Sequence, residues 1–566
     1  MDEWLTHFER SGETESSSYT DTMEYFRKFA AKSKMARFIS IGKSSQGRDI
    51  NCLIVAKGNL FTPRKARKSG KAVILIQNGI HPGEIEGKDA SMLLLREILI
   101  SKEKINLLEN LVLLFIPILN VDGHERLSPF NRPNQNGPLM MGFRTTAVNL
   151  NLNRDYMKAD TPEMKALLKL FNTWLPDFYI DNHTTNGVDY QYHITYGMEK
   201  HRNIFGALGK WGQEKFLPYV RDEVEKKGFL CTTYIELLKK ELEEGITDWT
   251  TRPMFSNGYA ALQNRLLLLT ETHSLKSFNN RVYSTKAMVE SSLEFINNNH
   301  KELRELNKKA DRESVKRYAG GKTSFPIVFE GTRDYELRNF KGIEYKKEES
   351  EITGSIIKHY TGIPVDIEVP VYNKVKVTKR VKLPYAYIIS AEFKDVIRIL
   401  KLNGVKVYQM KENRSLEVEK YHFTDYSFAE RPYEGRQRVD AKCETLSEII
   451  SFPRGTYFVN TGQRSIRVIA NLLEPEAPDS LLSWGFFNAF FERKEYAEDF
   501  IMEPLARKML KVHAKIKKEF KTKLKGDEEF RDNPDKRLDF FYKKSVYFDK
   551  REDIYPIFRL MHKIED

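Results

Sequence analysis

Fully apolar strands alternating with helices mark this 566-residue chain as an α/β protein, with a mixed or parallel sheet covered by helices on both faces. Ala72–Gln77 (AVILIQ), Leu111–Leu119 (LVLLFIPIL) and Leu266–Thr270 are apolar without alternation, as strands buried on both faces are. Ala90–Leu99, Pro162–Leu175 and Tyr283–Asn297 carry helical patterning between them. Apolar residues make up 40% and charged residues 30%, enough for a packed core, which excludes a disordered or fibrous chain.

From the N-terminus, residues 1–34 are expected to form a helical segment. Phe38–Ile41 and Ile50–Ala56 flank the turn SSQGRD and predict a hairpin. The strand Ala72–Gln77 stops at Asn78-Gly79, and Phe178–Ile180 is a short strand after the helix Pro162–Leu175. Around 305–325 the polar stretch NKKADRESVKRYAGGKTS carries Gly320-Gly321 and predicts a boundary. The expected division is a first domain over 35–305 and a second, mixed α/β accessory domain over 325–566. In the latter, Val365–Val371 and Val375–Val381 read as strands, and Ala391–Gly404 as a helix leading into the strand VKVY. There is no internal repeat.

The charge balance, 92 − 79 = +13, is a mild excess for this length and does not indicate nucleic acid. Leu505–Lys525 holds nine Lys/Arg and one acid. However, Leu505, Met509, Val512, Ile516, Phe520 and Leu524 recur at helical spacing, so a core helix with a solvated basic face is the simpler expectation. Three scattered cysteines, Cys52, Cys231 and Cys443, exclude a disulfide scaffold and a Cys-based zinc finger. No apolar run is long enough for a membrane span. The N-terminus has acids where a signal peptide has lysines. A periplasmic or secreted protein whose signal peptide is absent from this chain is the expectation, ahead of a cytoplasmic one.

The strongest local feature is His81-Pro82-Gly83-Glu84, directly after the first buried strand. Ligands bind at strand ends of open α/β sheets, and an imidazole and a carboxylate three residues apart can converge on one metal ion. In isolation such a pair is more often an ordinary polar loop. A third ligand is available at another strand end, in Asp181-Asn182-His183-Thr184-Thr185. Two His and one Glu leave a position open for water, the pattern of catalytic zinc. Glu271 ends the apolar run Leu266–Thr270 and is a candidate base, or a solvent-facing residue opening a loop. Arg154, in NLNRD, has the shape to clamp a carboxylate, and Arg144, in MGFR, could stabilise an oxyanion; surface ion pairs are the plainer alternative for both.

In their order, IGKSSQGRDI, HPGE, LNVDG, GFR, NLNR, DTPEM, DNH and TETH resemble the carboxypeptidase A type of zinc metallocarboxypeptidase over about residues 35–300. The resemblance implies an α/β/α sandwich around a mixed, twisted sheet. It implies one Zn2+ per chain bound by His81, Glu84 and His183, with Glu271 as general base and Arg144 stabilising the oxyanion. Asn153 and Arg154 would hold the terminal carboxylate of a peptide substrate, and Tyr259 is the nearest candidate for the family's substrate-capping tyrosine. The expected function is a zinc-dependent exopeptidase that hydrolyses the C-terminal peptide bond by a metal-activated water. Alternatives on the same scaffold are a cell-wall peptidase cutting beside diaminopimelate and an amidase or deacylase. The alternative of another class is a catalytically inactive peptide-binding protein, against which the four retained residues argue.

Two departures stand out. Asn151 occupies the position where the family usually has an Asp orienting a zinc-binding His, and Asn182 precedes His183 where many members have an apolar residue. In the second half, RPYEG, GTYFVNTGQ and LLEPEAPDSLLSWGFFN resemble segments that follow this domain in large bacterial peptidases. Covering the cleft, dimerising or holding the distal part of a substrate are roles open to it. In the resembled family the segment before the general base helps to build the pocket for the terminal side chain. Here Arg252–Thr270 contains no Asp or Glu, which predicts a preference for neutral, apolar or aromatic terminal residues, with acidic ones open if Arg265 points inward and Asp189 the acid that could reverse it.

Overall fold

The computed structural model describes residues 2–185, 187–200, 204–247 and 251–563. Ten strands fall in the first half: β1 (Ala36–Lys43), β2 (Asp49–Val55), β3 (Ala72–Gln77), β4 (Leu111–Ile116), β5 (Phe178–Thr184), β6 (Ile194–Gly197), β7 (Cys231–Thr233), β8 (Glu236–Leu237), β9 (Ile246–Thr247) and β10 (Leu266–Thr272). Eight of them form one sheet in the order β1-β2-β4-β3-β5-β10-β6-β7. Its centre, β4-β3-β5-β10, is parallel, and antiparallel pairings at β1-β2, β2-β4 and β10-β6 make it mixed.

Along the central strands every residue is buried, and alternate side chains enter opposite cores. Ala72, Ile74 and Ile76 of β3 join Leu266 and Leu268 of β10 in one core, with Met92 and Leu95 of helix Glu86–Leu99 and Met288 and Leu293 of helix Phe278–Tyr318. Val73 and Leu75 join Leu267 and Leu269 on the other face, with Met164, Leu167 and Phe171 of helix Pro162–Trp174. A two-residue side-chain period thus supplies both helix-covered faces of a sandwich.

The second face is completed from far along the chain. Tyr387, Ile389, Val396, Leu400, Val468 and Leu472 belong to the same core cluster as Val73 and Leu75. Tyr387 and Ile389 lie on one of the strands of the second half: β11 (Phe325–Gly331), β12 (Glu336–Glu349), β13 (Ile356–Tyr372), β14 (Val375–Val381), β15 (Ala386–Ile389), β16 (Tyr408–Gln409), β17 (Arg414–Phe428), β18 (Val439–Phe452), β19 (Tyr457–Asn460) and β20 (Ile557–Leu560). Here β16-β19-β15-β20-β17-β18 form a six-stranded sheet and β11-β14 a pair, while β12-β13 extend the short strands β9-β8.

Several elements differ from expectation. The helix expected over Tyr283–Asn297 runs for 41 residues, Phe278–Tyr318, through the polar stretch taken to open the boundary, and the chain breaks at Gly320-Gly321, both at positive φ. The strand VKVY shrinks to the pair Tyr408–Gln409. The expected single helix over Leu505–Lys525 is two, Asp499–Val512 and Ala514–Gly526, broken at His513. Met509 is buried and Ile516 and Phe520 pack on the same small cluster, but Val512 is exposed.

Candidate active site

The carboxyl ends of β3, β5 and β10 assemble the site. After β3 the backbone turns at Gly79, where φ is +63° and an added Cβ would lie 3.2 Å from Ile85 Cδ1. Asn78 fixes this turn by donating to Ser91 Oγ and Ile116 O. The turn sends His81 and Glu84 over the sheet edge. His183 on β5 lies beside Glu271 on β10, in register as parallel neighbours. Glu86 locks these two strand ends together, accepting from Thr184 Oγ1 at 2.7 Å and Thr272 Oγ1 at 3.0 Å.

Among the described residues, His81, Glu84 and His183 are the one group whose donor atoms converge closely enough for a metal ion, all within 4.8 Å of one another. Nδ1 of His81 and Nδ1 of His183 lie 3.1 and 2.9 Å from Glu84 Oε2. The opposite nitrogen of each ring is already engaged: His81 Nε2 donates to Asn151 Oδ1 and His183 Nε2 to Asp181 Oδ2, each at 3.0 Å. That pairing commits Nε2 of each ring to its outer partner and makes Nδ1, which faces Glu84, the atom each ring can offer to a metal ion. Two imidazoles and one carboxylate with their outer partners in place fit zinc.

The electrostatics follow from burial and neighbours. Burial pulls the His81 imidazole down to about 4. Burial acts the same way on His183, but Asp181 and Glu84 outweigh it and hold its pKa well above the usual value. Burial would raise Glu84, yet His81, Arg132 and His183 keep it well below the carboxylate range. Burial pushes Glu271 up to about 8, with His183 opposing and Glu84 and Asp181 adding to the rise. A bound dication would draw these carboxylates down.

The triad opens into a polar cleft also lined by Arg144, Asn153, Arg154, Thr184, Thr185, Tyr234, Glu236, Phe255 and Glu271. Arg144 Nη1 donates to Glu84 Oε1 at 3.1 Å. Asn153 is held by its backbone N–H on Asn151 Oδ1 and by Ser256 N on its own Oδ1, at 2.9 and 3.1 Å. The Arg154 guanidinium lies over the Phe255 ring, 4.3 Å from its centroid, and donates to Asn153 O.

The model of the zinc carboxypeptidase family matches residues 22–325, more than half of the chain. The chain belongs to the zinc carboxypeptidase family. It is a zinc-dependent metallocarboxypeptidase, a hydrolase of peptide bonds. The chain is 24% identical over 489 residues to Carboxypeptidase 2 of Trichophyton tonsurans, covering 82% of this chain and 83% of that one. It is 24% identical over 487 residues to Carboxypeptidase 2 of Trichophyton rubrum, with coverage of 82% and 83%. Among solved structures, a metallo-carboxypeptidase from Burkholderia cenocepacia overlaps 50% of this chain and 70% of that one, at 16% identity and a TM-score of 0.38.

Of the expected site residues in this carboxypeptidase, His81, Glu84, His183, Glu271, Arg144, Asn153 and Arg154 share the cleft. Tyr259 does not. It is fully buried against Tyr156 and Phe171, and its hydroxyl accepts from Asn172 and Gln263. Proximity in sequence to Glu271 was the wrong guide, because helix Ser256–Leu262 turns that ring into the core. Tyr234 lines the cleft instead. Asn182 points across the sheet, away from the cleft, bonding Asn78 Oδ1 and Thr270 Oγ1.

The segment expected to shape the side-chain pocket contributes no charge to it. Arg252 pairs with Asp479, Arg265 with Asp311, and Asp189 with His273. The extra carboxylate in the cleft is that of Glu236, whose side chain no hydrogen bond or ion pair engages among the described residues. Arg132 and Asp181 were also missed. Arg132 donates to Glu84 Oε1 at 2.8 Å from the long loop before Arg144. Asp181 was legible, since a residue two before His183 on a strand shares its face.

Proposed function

We propose that this carboxypeptidase removes single residues from peptides that end in a free carboxylate. His81, Glu84 and His183 are the zinc ligands. Zinc bound there supplies Lewis acidity, which makes a water deprotonatable near neutral pH. Glu271 takes that water's proton on its carboxylate and delivers it to the departing amine nitrogen. Its buried carboxylate, which no side chain bonds among the described residues, suits a group that must hold a proton between two steps. Arg144 faces charge that develops on the carbonyl oxygen only in the transition state. Asn153 and Arg154 receive the terminal carboxylate, with Arg154 preset by Phe255 and the Asn153 carbonyl. The observation that carries this reading is that one cleft holds the donor triad, an acid on the neighbouring strand and two arginines. Glu271→Gln should retain zinc and lose ~10²–10⁴-fold in kcat, since an amide cannot accept the proton. Turnover close to that of the unaltered enzyme would assign the base to another group. Glu86 is a poor substitute, because it is buried under Thr184 and Thr272.

A further inference from the structure

Residues 433–436, in the second half of the chain, form a two-residue turn closed by Tyr433 N to Arg436 O at 2.9 Å and Arg436 N to Tyr433 O at 3.2 Å. Glu434 at its tip has φ +51° and Gly435 has φ +75°. A left-handed glutamate persists only where its surroundings enforce it. All four residues bear on one short stretch of the catalytic half, 150–160. The Tyr433 hydroxyl accepts from Arg154 Nε at 2.8 Å. Glu434 Oε2 accepts from the Asn151 backbone N–H at 2.8 Å. Gly435 abuts Leu150, whose Cδ2 would be 3.2 Å from an added Cβ. Arg436 grips Asp160 with two parallel bonds of 2.8 and 2.6 Å. The turn is braced from behind, where the Tyr433 ring stacks on the buried Trp484 at 6.0 Å and 14°.

We infer that this turn is a positioning element of the active site, through which the second half of the chain sets affinity for the substrate's terminal carboxylate. The inference rests on the reading of Arg154 as the carboxylate clamp. Arg154 has three anchors: the Phe255 ring beneath its plane, the Asn153 carbonyl at Nη1 and the Tyr433 hydroxyl at Nε. The ring sets the plane of the guanidinium and the two hydrogen bonds together set its rotation in that plane, with Tyr433 the contact that comes from the second half of the chain. An arginine held at Nε by a neutral acceptor keeps its full charge for the incoming carboxylate, whereas a carboxylate at that position would compete with it. Glu434 acts one step further back. It pins the backbone of Asn151, whose side chain orders both His81 and Asn153. Neither residue of the turn touches the reacting atoms; each acts through a residue that does.

The test is a double-mutant cycle on the full-length zinc enzyme, with a peptide ending in a free carboxylate. Tyr433→Phe keeps the stack on Trp484 and removes only the hydroxyl. It should raise KM about 10-fold with a far smaller change in kcat, the size expected for one hydrogen bond to a charged group. In an Arg154→Ala background the same change should have no further effect on KM. Glu434→Ala should also raise KM, and Glu434→Gln, whose amide oxygen still accepts the Asn151 N–H, should restore it. A large rise in KM for Arg154→Ala with none for Tyr433→Phe overturns the positioning role alone. An unchanged KM for Arg154→Ala itself overturns the clamp, and the inference with it.

Discussion

His81 and His183 are held in the same way by different chemistry. Each donates Nε2–H to an outer partner, an amide oxygen on Asn151 for His81 and a carboxylate on Asp181 for His183. The resembled family's usual acid at 151 is missing, and the negative charge sits behind the other histidine. Asp181 is itself fixed, because Gln77 Nε2 donates to its Oδ1 at 2.8 Å and the Tyr179 hydroxyl donates to Gln77 Oε1 at 2.6 Å. Anionic character therefore still reaches the metal ligands, by a route through the core of β3 and β5. Side-chain preference is also decided at this scale. The two arginines near the expected pocket are neutralised by Asp479 and Asp311, which leaves Glu236 as the uncommitted charge among the described lining residues besides the machinery itself. Partial desolvation in the cleft raises its pKa, and a cationic substrate side chain that reached it would relieve that cost. Peptides with Lys on either side of that bond should be cleaved with higher kcat/KM than their Phe counterparts. Glu236→Gln should erase the advantage. A Phe preference untouched by Glu236→Gln would return the cleft to the neutral selectivity expected from residues 252–270.

At the scale of elements, the central strands and their helices were legible, and the reason is the apolar run. β3 begins and ends where the sequence placed it, because burial on both faces leaves no ambiguity of period. The long helix Phe278–Tyr318 was read at less than half its length, because beyond Asn297 its exposed face is almost wholly polar. That helix is tied to its neighbours by charge. Glu290 accepts from Lys104 at 2.6 Å and Lys227 at 3.2 Å, with Lys286 at 3.3 Å one turn away. Burial would raise its pKa, but the three ammonium groups bring it from 4.5 to about 2. A carboxylate depressed in the folded state stabilises it above its unfolded pKa, and that stability drains away as pH falls from about 4.5 towards about 2. After allowance for screening at the partly exposed lysines, the contribution is about 1–2 kcal/mol. Glu290→Gln should therefore lower Tm at pH 6, and the gap to the unaltered protein should narrow below pH ~4.5. A gap that widens on acidification would show that the cluster does not stabilise the helix. The site was legible for a related reason. The proposed metal ligands and base fall at strand ends, which local pattern marks, whereas Tyr234 lines the cleft, and Arg132 and Tyr433 bond Glu84 and Arg154, from loops that carry no such mark.

For the whole molecule, the two halves share one core and one site. The face of the sheet opposite helices Glu86–Leu99 and Phe278–Tyr318 is covered jointly by helix Pro162–Trp174 and by side chains of β15 and the segments after it. From the second half, Tyr433 bonds Arg154, which lines the cleft, and Glu434 bonds the Asn151 backbone behind it. A sequence boundary near 320 thus marks a change of composition and a glycine break rather than a division of labour, since only the folded chain reveals which surface the second half covers.

The proposed zinc site and carboxylate clamp lie in one cleft and are expected to work together. The most direct measurement is hydrolysis of one peptide in two forms, with a free and with an amidated C-terminus, before and after zinc is removed by a chelator, with products identified by mass. Joint action of the two requires loss of a single C-terminal residue from the free form, no cleavage of the amidated form, and restoration of activity by added zinc. Equal cleavage of both forms, internal fragments, or activity that survives complete removal of zinc would contradict it.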